Sequence, residues 1–282
     1  MQKTKFSLNI KGELLELNSP KIMGILNVTP DSFYSDSRCF DEKHIIDRVS
    51  EIINQGGDII DIGAYSSRPN SIDISVEEEM NRLRKSLSLI NSQFSDTILS
   101  VDTFRADVAK MCVEEYGVAI INDISGGEID KNMFSTVAKL NVPYILMHMK
   151  GTPQTMMMNM EYDNFLEEVF LYFSKKINQL RLLGVNDIIV DPGFGFSKSL
   201  DDNYQLMKHL NDFHIFELPL LVGISRKSMI YKLLDLTPKE SLNGTTFLNT
   251  FALFKGANIL RVHDVKEAKE CARMYEMIIN QK

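Results

Sequence analysis

The feature that most constrains the fold is a series of eight short apolar runs, each with a polar residue at its end or within two positions of it. The runs are rich in Ile, Val and Leu and do not alternate with polar residues, which is typical of strands buried on both faces of a parallel sheet. They are IMGILN (22–27), DIIDIG (58–63), TILSVD (97–102), VAIIND (118–123), VPYILMH (142–148), DIIVD (187–191), PLLVGIS (219–225) and ANILRVH (257–263).

Helical patterns lie between these runs, with apolar residues three and four positions apart. The clearest cover 44–56, 75–90, 106–117, 162–184 and 264–281. Three of them end at a glycine (Gly56, Gly117 or Gly184), where a left-handed helix C-terminus forms easily. Strands that alternate with helices predict βαβ units and a parallel sheet.

The spacing of the units favours a closed barrel. From Asn27 to Arg261 they repeat about every 33 residues, close to eight units in about 250 residues. The sequence therefore predicts an α/β fold, a (β/α)8 TIM barrel. A doubly wound open sheet is the alternative, but it does not need eight even units, and no GxGxxG follows the first run.

The ends of the chain fit the same architecture. No linker rich in proline or glycine interrupts the series, so we expect a single domain over residues 1–282. Residues 6–17 alternate apolar and polar side chains around Lys11-Gly12. This pattern predicts an N-terminal β-hairpin, within an extension of residues 1–20, that lies outside the barrel count and could plug its bottom.

Composition excludes several classes of protein. The net charge of −7 argues against a general nucleic-acid binder. Three cysteines stand far apart with no CxxC, which suits a reducing compartment. No apolar segment has the length of a signal peptide or approaches about 18 residues. We therefore expect a cytoplasmic protein.

Polar side chains at the ends of all eight runs predict a site at one mouth of the barrel. An Asp or Asn at a single strand end usually caps a turn or helix, but eight such ends are unfavourable unless something polar binds there. The set comprises Asn27, Asp61, Asp102, Asn122 with Asp123, His148, Asp191, Ser225-Arg226-Lys227, and Arg261 with His263.

These side chains divide by charge. The third, fourth and sixth runs end in Asp102, Asn122 and Asp191, which could bond a flat heterocycle that carries N–H groups. The last two supply the basic residues Arg226, Lys227, Arg261 and His263, where barrels often hold a phosphate, and Arg68 could reach the same mouth. The pattern indicates an anionic ligand group beside a neutral ring. Alternatively, Arg261 and His263 pair inside RVHD and begin the last helix.

The sequence offers little for a dedicated metal centre. Five scattered histidines with no HExxH argue against zinc. Mg2+ that bridges phosphate oxygens needs only one or two protein oxygens, and Asn27 could supply one, although an Asn before Thr-Pro-Asp could equally cap a turn. Met147, Met149 and the three methionines 156–158 are most simply interpreted as packing.

Motifs along nearly the whole chain resemble those of the dihydropteroate synthase family, in the same order. They are ILNVTPDSF (25–33), DIGAYSSRP (61–69), VDT (101–103), IND (121–123), MHMKGTP (147–153), DPGFGF (191–196), GISRKSMI (223–230) and RVHDV (261–265). The resemblance implies a (β/α)8 barrel, usually a homodimer, that is a transferase of folate biosynthesis and a sulfonamide target. Such an enzyme joins 4-aminobenzoate to (7,8-dihydropterin-6-yl)methyl diphosphate and releases diphosphate with the help of Mg2+.

The resemblance also implies roles for particular residues. Those at pterin-binding, catalytic positions are Asp102, Asn122, Asp191 and Lys227, and the Mg2+ position is Asn27. Those around the anion are Ser67, Arg68, Arg261 and His263. Mobile loops that close over 4-aminobenzoate would contain Asp31 and Phe33 (within 29–40) and Ser67 to Pro69, with Phe196 and Ser228 near the same substrate. The chain departs from the family pattern at Ala64-Tyr65, Ser67, Asn70 and Ser197.

Three other functions compete with this one. A catalytically silent pterin-binding paralogue stays open because of Tyr65 and Ser197. A methyltetrahydrofolate methyltransferase-like enzyme would share the ring-binding residues but would not need the basic set Lys227, Arg261 and His263. An aldolase with Lys227 as a Schiff-base lysine would need that amine buried and of depressed pKa.

Overall fold

The computed structural model of the protein describes residues 6–29, 38–66, 73–158 and 160–281, and for 38–41 and 157 it describes the backbone alone. The chain begins with an antiparallel hairpin, β1 (Ser7–Ile10) and β2 (Glu13–Glu16). Lys11 and Gly12 connect its strands, both with positive φ (55° and 92°), as a two-residue type I′ turn requires. The predicted hairpin is confirmed.

Eight parallel strands follow, one for each apolar run. They are β3 (Lys21–Asn27), β4 (Ile59–Gly63), β5 (Leu99–Asp102), β6 (Ile120–Asp123), β7 (Tyr144–Met147), β8 (Ile188–Asp191), β9 (Leu221–Val222) and β10 (Ile259–Val262). Strands β3 to β8 pair in chain order, and β10 lies between β3 and β9. A parallel bridge between Val190 and Leu220 joins β8 to the β9 side. The eight strands therefore form a nearly closed TIM barrel, and the doubly wound alternative is wrong.

Helices connect the barrel strands on the outside. They are α1 (Arg38–Asn54), α2 (Val76–Gln93), α3 (Ala106–Tyr116), α4 (Met133–Leu140), α5 (Phe165–Leu182), α6 (Leu200–Lys208), α7 (Ser228–Tyr231), α8 (Leu242–Phe254) and α9 (Val265–Ile279). Local chemistry sets their ends: Ser75 caps α2, Ser199 and Asp202 form a capping box on α6, and Gly117 ends α3 with φ of 64°. No helix in the described parts of the chain is long and apolar enough to cross a membrane.

Helix α1 begins earlier than the sequence predicts. The sequence pattern predicts a helix over residues 44–56 and a loop over the site at residues 29–40. In the structure the helix already includes Arg38. Most of that predicted loop, residues 30–37, lies outside the described part of the chain.

The hairpin closes the bottom of the barrel. Inward-facing apolar side chains near the start of the strands form a layer: Met23, Ile59, Ile120, Ile145, Ile189, Leu221 and Ile259. Leu8, Ile10 and Leu17 from the hairpin segment pack against this layer and are buried. The predicted plug is therefore confirmed, and the polar mouth lies at the opposite end.

The plug predicts a contrast between two leucines of the hairpin. Leu8 is 1% exposed against the barrel floor, whereas Leu14 is 72% exposed. We expect Leu8→Ala to lower the free energy of unfolding by about 2–5 kcal/mol because it leaves a cavity. Leu14→Ala should change it by less than about 0.5 kcal/mol. Urea unfolding of both variants measures this, and equal losses would contradict a plugging role.

Candidate active site

The strand register brings the polar strand ends to one level of the mouth. Asn27 pairs with Gly63, Gly63 with Asp102, and Asp102 with Asn122 across three neighbouring strand pairs. Gly63 leaves space at this corner, which a β-carbon would fill in van der Waals contact with Asn27 Oδ1 (3.6 Å) and Asp102 Cβ (3.7 Å). Asn27 itself is exposed at the end of β3.

A guanidinium between two carboxylates organises this side of the mouth. Arg261 Nε donates to Asp61 Oδ2 at 2.6 Å, and Arg261 Nη2 donates to Asp102 Oδ2 at 2.8 Å. Asn122 Nδ2 donates to the same Asp61 oxygen at 2.9 Å, which turns Asn122 Oδ1 away from Asp61. The other oxygen of Asp61 has no hydrogen-bond partner among the described residues, and the residue is fully buried.

Burial and pairing set the charges of this cluster. Burial raises the pKa of Asp102 to about 7, while Arg261 acts in the opposite direction. Burial alone would lower the pKa of Arg261, but the carboxylates of Asp61 and Asp102 raise it above its usual value. The side chain of Asp102 keeps 20% of its surface exposed, so it can be reached from the mouth. Arg261 is therefore a permanent cation beside a carboxyl group that titrates near neutral pH.

Asp191 and Lys227 form the second half of the site. Gly193 N donates to Asp191 Oδ1 at 2.8 Å, and Lys227 Nζ donates to the carbonyl of Phe194 at 2.5 Å. The same ammonium lies 4.7 Å from the centre of the Phe196 ring. Burial lowers the pKa of Lys227 to about 8, and Asp191 counteracts part of that effect. Burial raises the pKa of Asp191, and the positive charge of Lys227 lowers it in part.

The basic residues Arg226, Arg261 and His263 have different partners in the structure. Arg226 forms a bidentate pair with Asp264, at 2.9 and 2.6 Å, so it is not part of the basic group to which the sequence assigned it. The alternative that Arg261 pairs inside RVHD is wrong, because Arg261 bonds Asp61 and Asp102. The His263 backbone contacts Ser225 Oγ and Arg48, and burial, with the charge of Arg261, lowers the pKa of its imidazole to about 4.

The structure describes only some of the remaining predicted site residues. Ser228 is the first residue of α7, directly after Lys227, and is half-buried. Five predicted residues lie outside the described part of the chain and stay predictions: Asp31, Phe33, Ser67, Arg68 and Pro69.

Asp61 is the main site residue to which sequence reasoning gave no role. The alternation of side chains along a strand could have identified it. Alternate residues of a strand share a face, so Asp61 points inward together with Gly63. The same alternation separates Asn122 from Asp123. The Asp123 carboxylate accepts from Ser125 N, Gly127 N and Tyr144 Oη, so it holds a turn and does not line the mouth.

His148, like Asp123, is buried and does not line the mouth. It is 4% exposed, and its ring lies edge-on to Tyr172 with centroids 4.8 Å apart. Met147, Met149 and Met156 form an apolar cluster with Phe104 and Ile124, which confirms packing for these three. Met158 is instead 83% exposed, so the prediction is wrong for it, and the side chain of Met157 lies outside the described part of the chain.

Two departures from the family pattern have local contacts. Tyr65 Oη accepts from Gln154 Nε2 at 2.5 Å, and its ring packs edge-on against Phe104. Ser197 has φ of 46°, in the left-handed region that favours glycine. Its hydroxyl accepts from Lys150 N at 2.7 Å, a bond that glycine could not make. Both substitutions thus add hydrogen bonds between loops.

Comparison with known proteins agrees with the fold and motifs. Residues 23–263 match the family model of pterin binding enzymes. A dihydropteroate synthase of Escherichia coli strain K12 is 42% identical over 277 residues, 96% of each chain. The Yersinia pestis dihydropteroate synthase solved as a sulfonamide drug complex is 38% identical with a TM-score of 0.90, over 98% of this chain and 100% of that one. The Xanthomonas albilineans dihydropteroate synthase solved with 4-aminobenzoic acid is 31% identical with a TM-score of 0.90, over the whole of both chains. The chain therefore belongs to the dihydropteroate synthases of the pterin-binding enzyme family.

Proposed function

We propose that this chain condenses (7,8-dihydropterin-6-yl)methyl diphosphate with 4-aminobenzoate to give 7,8-dihydropteroate and diphosphate. The main support is the pair of carboxylates at one mouth, Asp102 and Asp191, each with a cation beside it. The relative solved with 4-aminobenzoic acid supports the second substrate.

The pterin ring would bind between the two halves of the site. Asp102 and Asp191 can accept from its N–H groups, Asn122 Oδ1 can accept a further one, and Lys227 can donate to a ring oxygen or nitrogen. Because Arg261 and Asp61 hold Asp102 and Asn122 in place, these partners need little reorganisation when the ring arrives.

In the proposed reaction, diphosphate leaves the pterin methylene before the arylamine attacks it. Loss of the leaving group gives a cation delocalised over the pterin, which Asp102 and Asp191 would stabilise more than the neutral ground state. Arg261 and Arg68 would neutralise the diphosphate charge, and Ser67 and the neutral imidazole of His263 would donate hydrogen bonds to its oxygens. The arylamine nitrogen then bonds to the methylene carbon and loses one proton to solvent, a step that needs placement more than activation. Phe196 and Ser228, with Asp31, Phe33 and Pro69, would provide that placement.

The residues present fit a Mg2+ ion shared with the substrate. Asn27 offers one exposed amide oxygen beside the open corner at Gly63, and a hard cation that keeps its waters needs little more. Among the described residues no group of three or more His, Cys, Asp or Glu side chains could hold a metal alone. When bound, Mg2+ would supply positive charge to the diphosphate oxygens as they leave.

A mass-resolved assay with both substrates and Mg2+ tests this function. We expect dihydropteroate and diphosphate in equal amounts, and a loss of product when the metal is chelated. A pterin that binds but is not converted would instead identify a silent paralogue. A methyl transfer to an added acceptor would identify the methyltransferase alternative.

Asp102→Asn tests the charge that stabilises the cation. We expect kcat to fall about 100-fold, the scale of losing one transition-state contact. The Kd for free pterin should rise less than about tenfold, because the amide still forms a hydrogen bond. In the wild type kcat/KM should fall as the pH drops below about 7, where Asp102 takes up a proton, and this acidic limb should vanish in the variant. Stopped-flow or steady-state kinetics measure both effects.

The matched control is Asp96→Asn, the same change on an exposed loop residue. It should leave kcat and the pH profile of kcat/KM unaltered. An Asp102→Asn enzyme with wild-type kcat would rule out the proposed role of this carboxylate.

The homodimer expected from the resemblance has a candidate surface on two adjacent helices. Three aromatic residues of α8 and two methionines of α9 are exposed: Phe247, Phe251, Phe254, Met274 and Met277. Such a cluster is unusual for a free protein surface, and we propose that a second copy of the chain covers it.

Sedimentation velocity at micromolar concentration tests the dimer. Phe247→Glu places a charge in the proposed interface and should shift a dimeric wild type to monomer. The control is Leu171→Glu, on the exposed face of α5, where the residue is half-exposed. A monomeric wild type, or equal dissociation of both variants, would contradict the assignment.

Two broader predictions are also proposals. We propose that residues 1–282 form a single domain, supported by the hairpin that packs into the barrel and by the pairing of β10 with β3. We propose a cytoplasmic location, supported by the free, buried thiols of Cys112 and Cys271.

A further inference from the structure

A buried ammonium lies beneath the loop that follows β8. Lys198 is 5% exposed, and its Nζ lies 2.9 Å from the carbonyl oxygen of Gly193 and 3.0 Å from that of Phe196. It also lies 3.2 Å from the carbonyl oxygen of His148 and 3.0 Å from His148 Nδ1. A cation is thus surrounded by backbone oxygens of two different loops.

The loop is shaped to present those oxygens. Gly193, Gly195 and Ser197 have φ of 72°, 79° and 46°, so every second residue is left-handed and the backbone curls around Lys198. A β-carbon on Gly193 would collide with the carbonyl oxygen of His148. Carbonyl oxygens brought this close need a cation or several N–H donors between them.

Lys198 meets that need as an ammonium. Its three N–H groups are shared among four acceptors, the three carbonyls and His148 Nδ1, whereas a neutral amine would donate only two. Burial lowers the pKa of Lys198 to about 7, and the nearby Asp191 carboxylate opposes the change. Burial, followed by the charge of Lys198, holds the pKa of His148 well below its usual value, so the imidazole is neutral and Nδ1 can accept.

The loop held by Lys198 connects directly to the proposed pterin site. Gly193 N fixes the Asp191 carboxylate, the Phe194 carbonyl accepts from Lys227 Nζ, and the Phe196 ring lies beside the same ammonium. Lys198 therefore touches the backbone of the segment that orients both Asp191 and Lys227, without facing the mouth itself.

We propose that Lys198 is a positioning residue for the pterin site, whose ammonium clamps residues 193–196 to His148 and thereby fixes Asp191 and Lys227. This inference rests on the proposed function, since it assigns Asp191 and Lys227 to the pterin. It can nevertheless be tested by binding alone, which needs no turnover.

The experiment replaces Lys198 by Met in the full chain, which removes the charge and keeps an unbranched side chain one heavy atom shorter. The Kd for 6-hydroxymethylpterin, measured by calorimetry, should rise by about tenfold or more, the scale of losing one charged hydrogen-bond partner. The Kd for inorganic pyrophosphate should stay unchanged, because Arg261 and His263 lie on and directly after β10, away from the loop that Lys198 contacts. Lys208→Met, at an exposed lysine of α6, should alter neither constant.

A double-mutant cycle with Lys227→Met supplies the readout that a merely structural role would not move. If Lys198 acts through Lys227, the second substitution should add little to the loss of pterin affinity, so the two effects are not additive. Fully additive effects, or equal weakening of pterin and pyrophosphate, would overturn the proposal.

Lys198→Gln provides the same measurement if the Met variant does not fold, as judged by circular dichroism. Failure of both variants to fold would also overturn the proposal, in favour of a role in stability alone. A wild type that binds pterin but forms no dihydropteroate would refute the proposed function, whereas the binding comparison would still decide the role of Lys198.

Discussion

The arrangement of the mouth depends on one guanidinium between two carboxylates. Burial and the neighbouring Asp61 raise the pKa of Asp102, whereas Arg261 lowers it, so without Arg261 the Asp102 carboxyl would take up a proton more readily. Removing one partner from a buried charged cluster is commonly destabilising by about 3–5 kcal/mol, because the remaining charge is left uncompensated. The orientation of Asn122 follows from the same cluster, through its bond to Asp61. The acceptors of the mouth are thus fixed as a unit.

The barrel makes this unit possible by sorting side chains within each strand. Alternate residues face inward, so β4 contributes Asp61 and then an empty position at Gly63, while β6 contributes Asn122 inward and Asp123 outward. Apolar residues and the hairpin fill the opposite end. A dry floor beneath a charged mouth strengthens each polar contact there, because the local dielectric is low.

The sequence predicts the barrel well because each strand is a compact apolar run with a clear end. Helix α8 was harder to predict from the sequence. Its sequence, LNGTTFLNTFALF, is apolar on exposed as well as buried faces, so hydrophobic periodicity does not identify it as a helix. The sequence predicted the position of a candidate residue where a motif residue is also the last residue of a strand, as for Asp102 and Asp191.

Other site residues depend on tertiary neighbours. Arg226 and Arg261 look alike in the sequence, yet one pairs with Asp264 and the other with Asp61 and Asp102. Lys198 lies beyond the DPGFGF motif, and its role follows from carbonyl oxygens that converge only in the folded loop. Local pattern cannot report which partner a long cationic side chain reaches.

The Arg261–Asp61 contact joins residues 200 positions apart, on strands that emerge early and late during synthesis. Until the last strand leaves the ribosome, the carboxylates of the first half have no guanidinium to neutralise them. A nascent chain that ends before residue 261 therefore lacks an assembled mouth, whatever part of its sheet has formed. An assembled mouth therefore reports that synthesis has passed residue 261 and that β10 has joined the sheet.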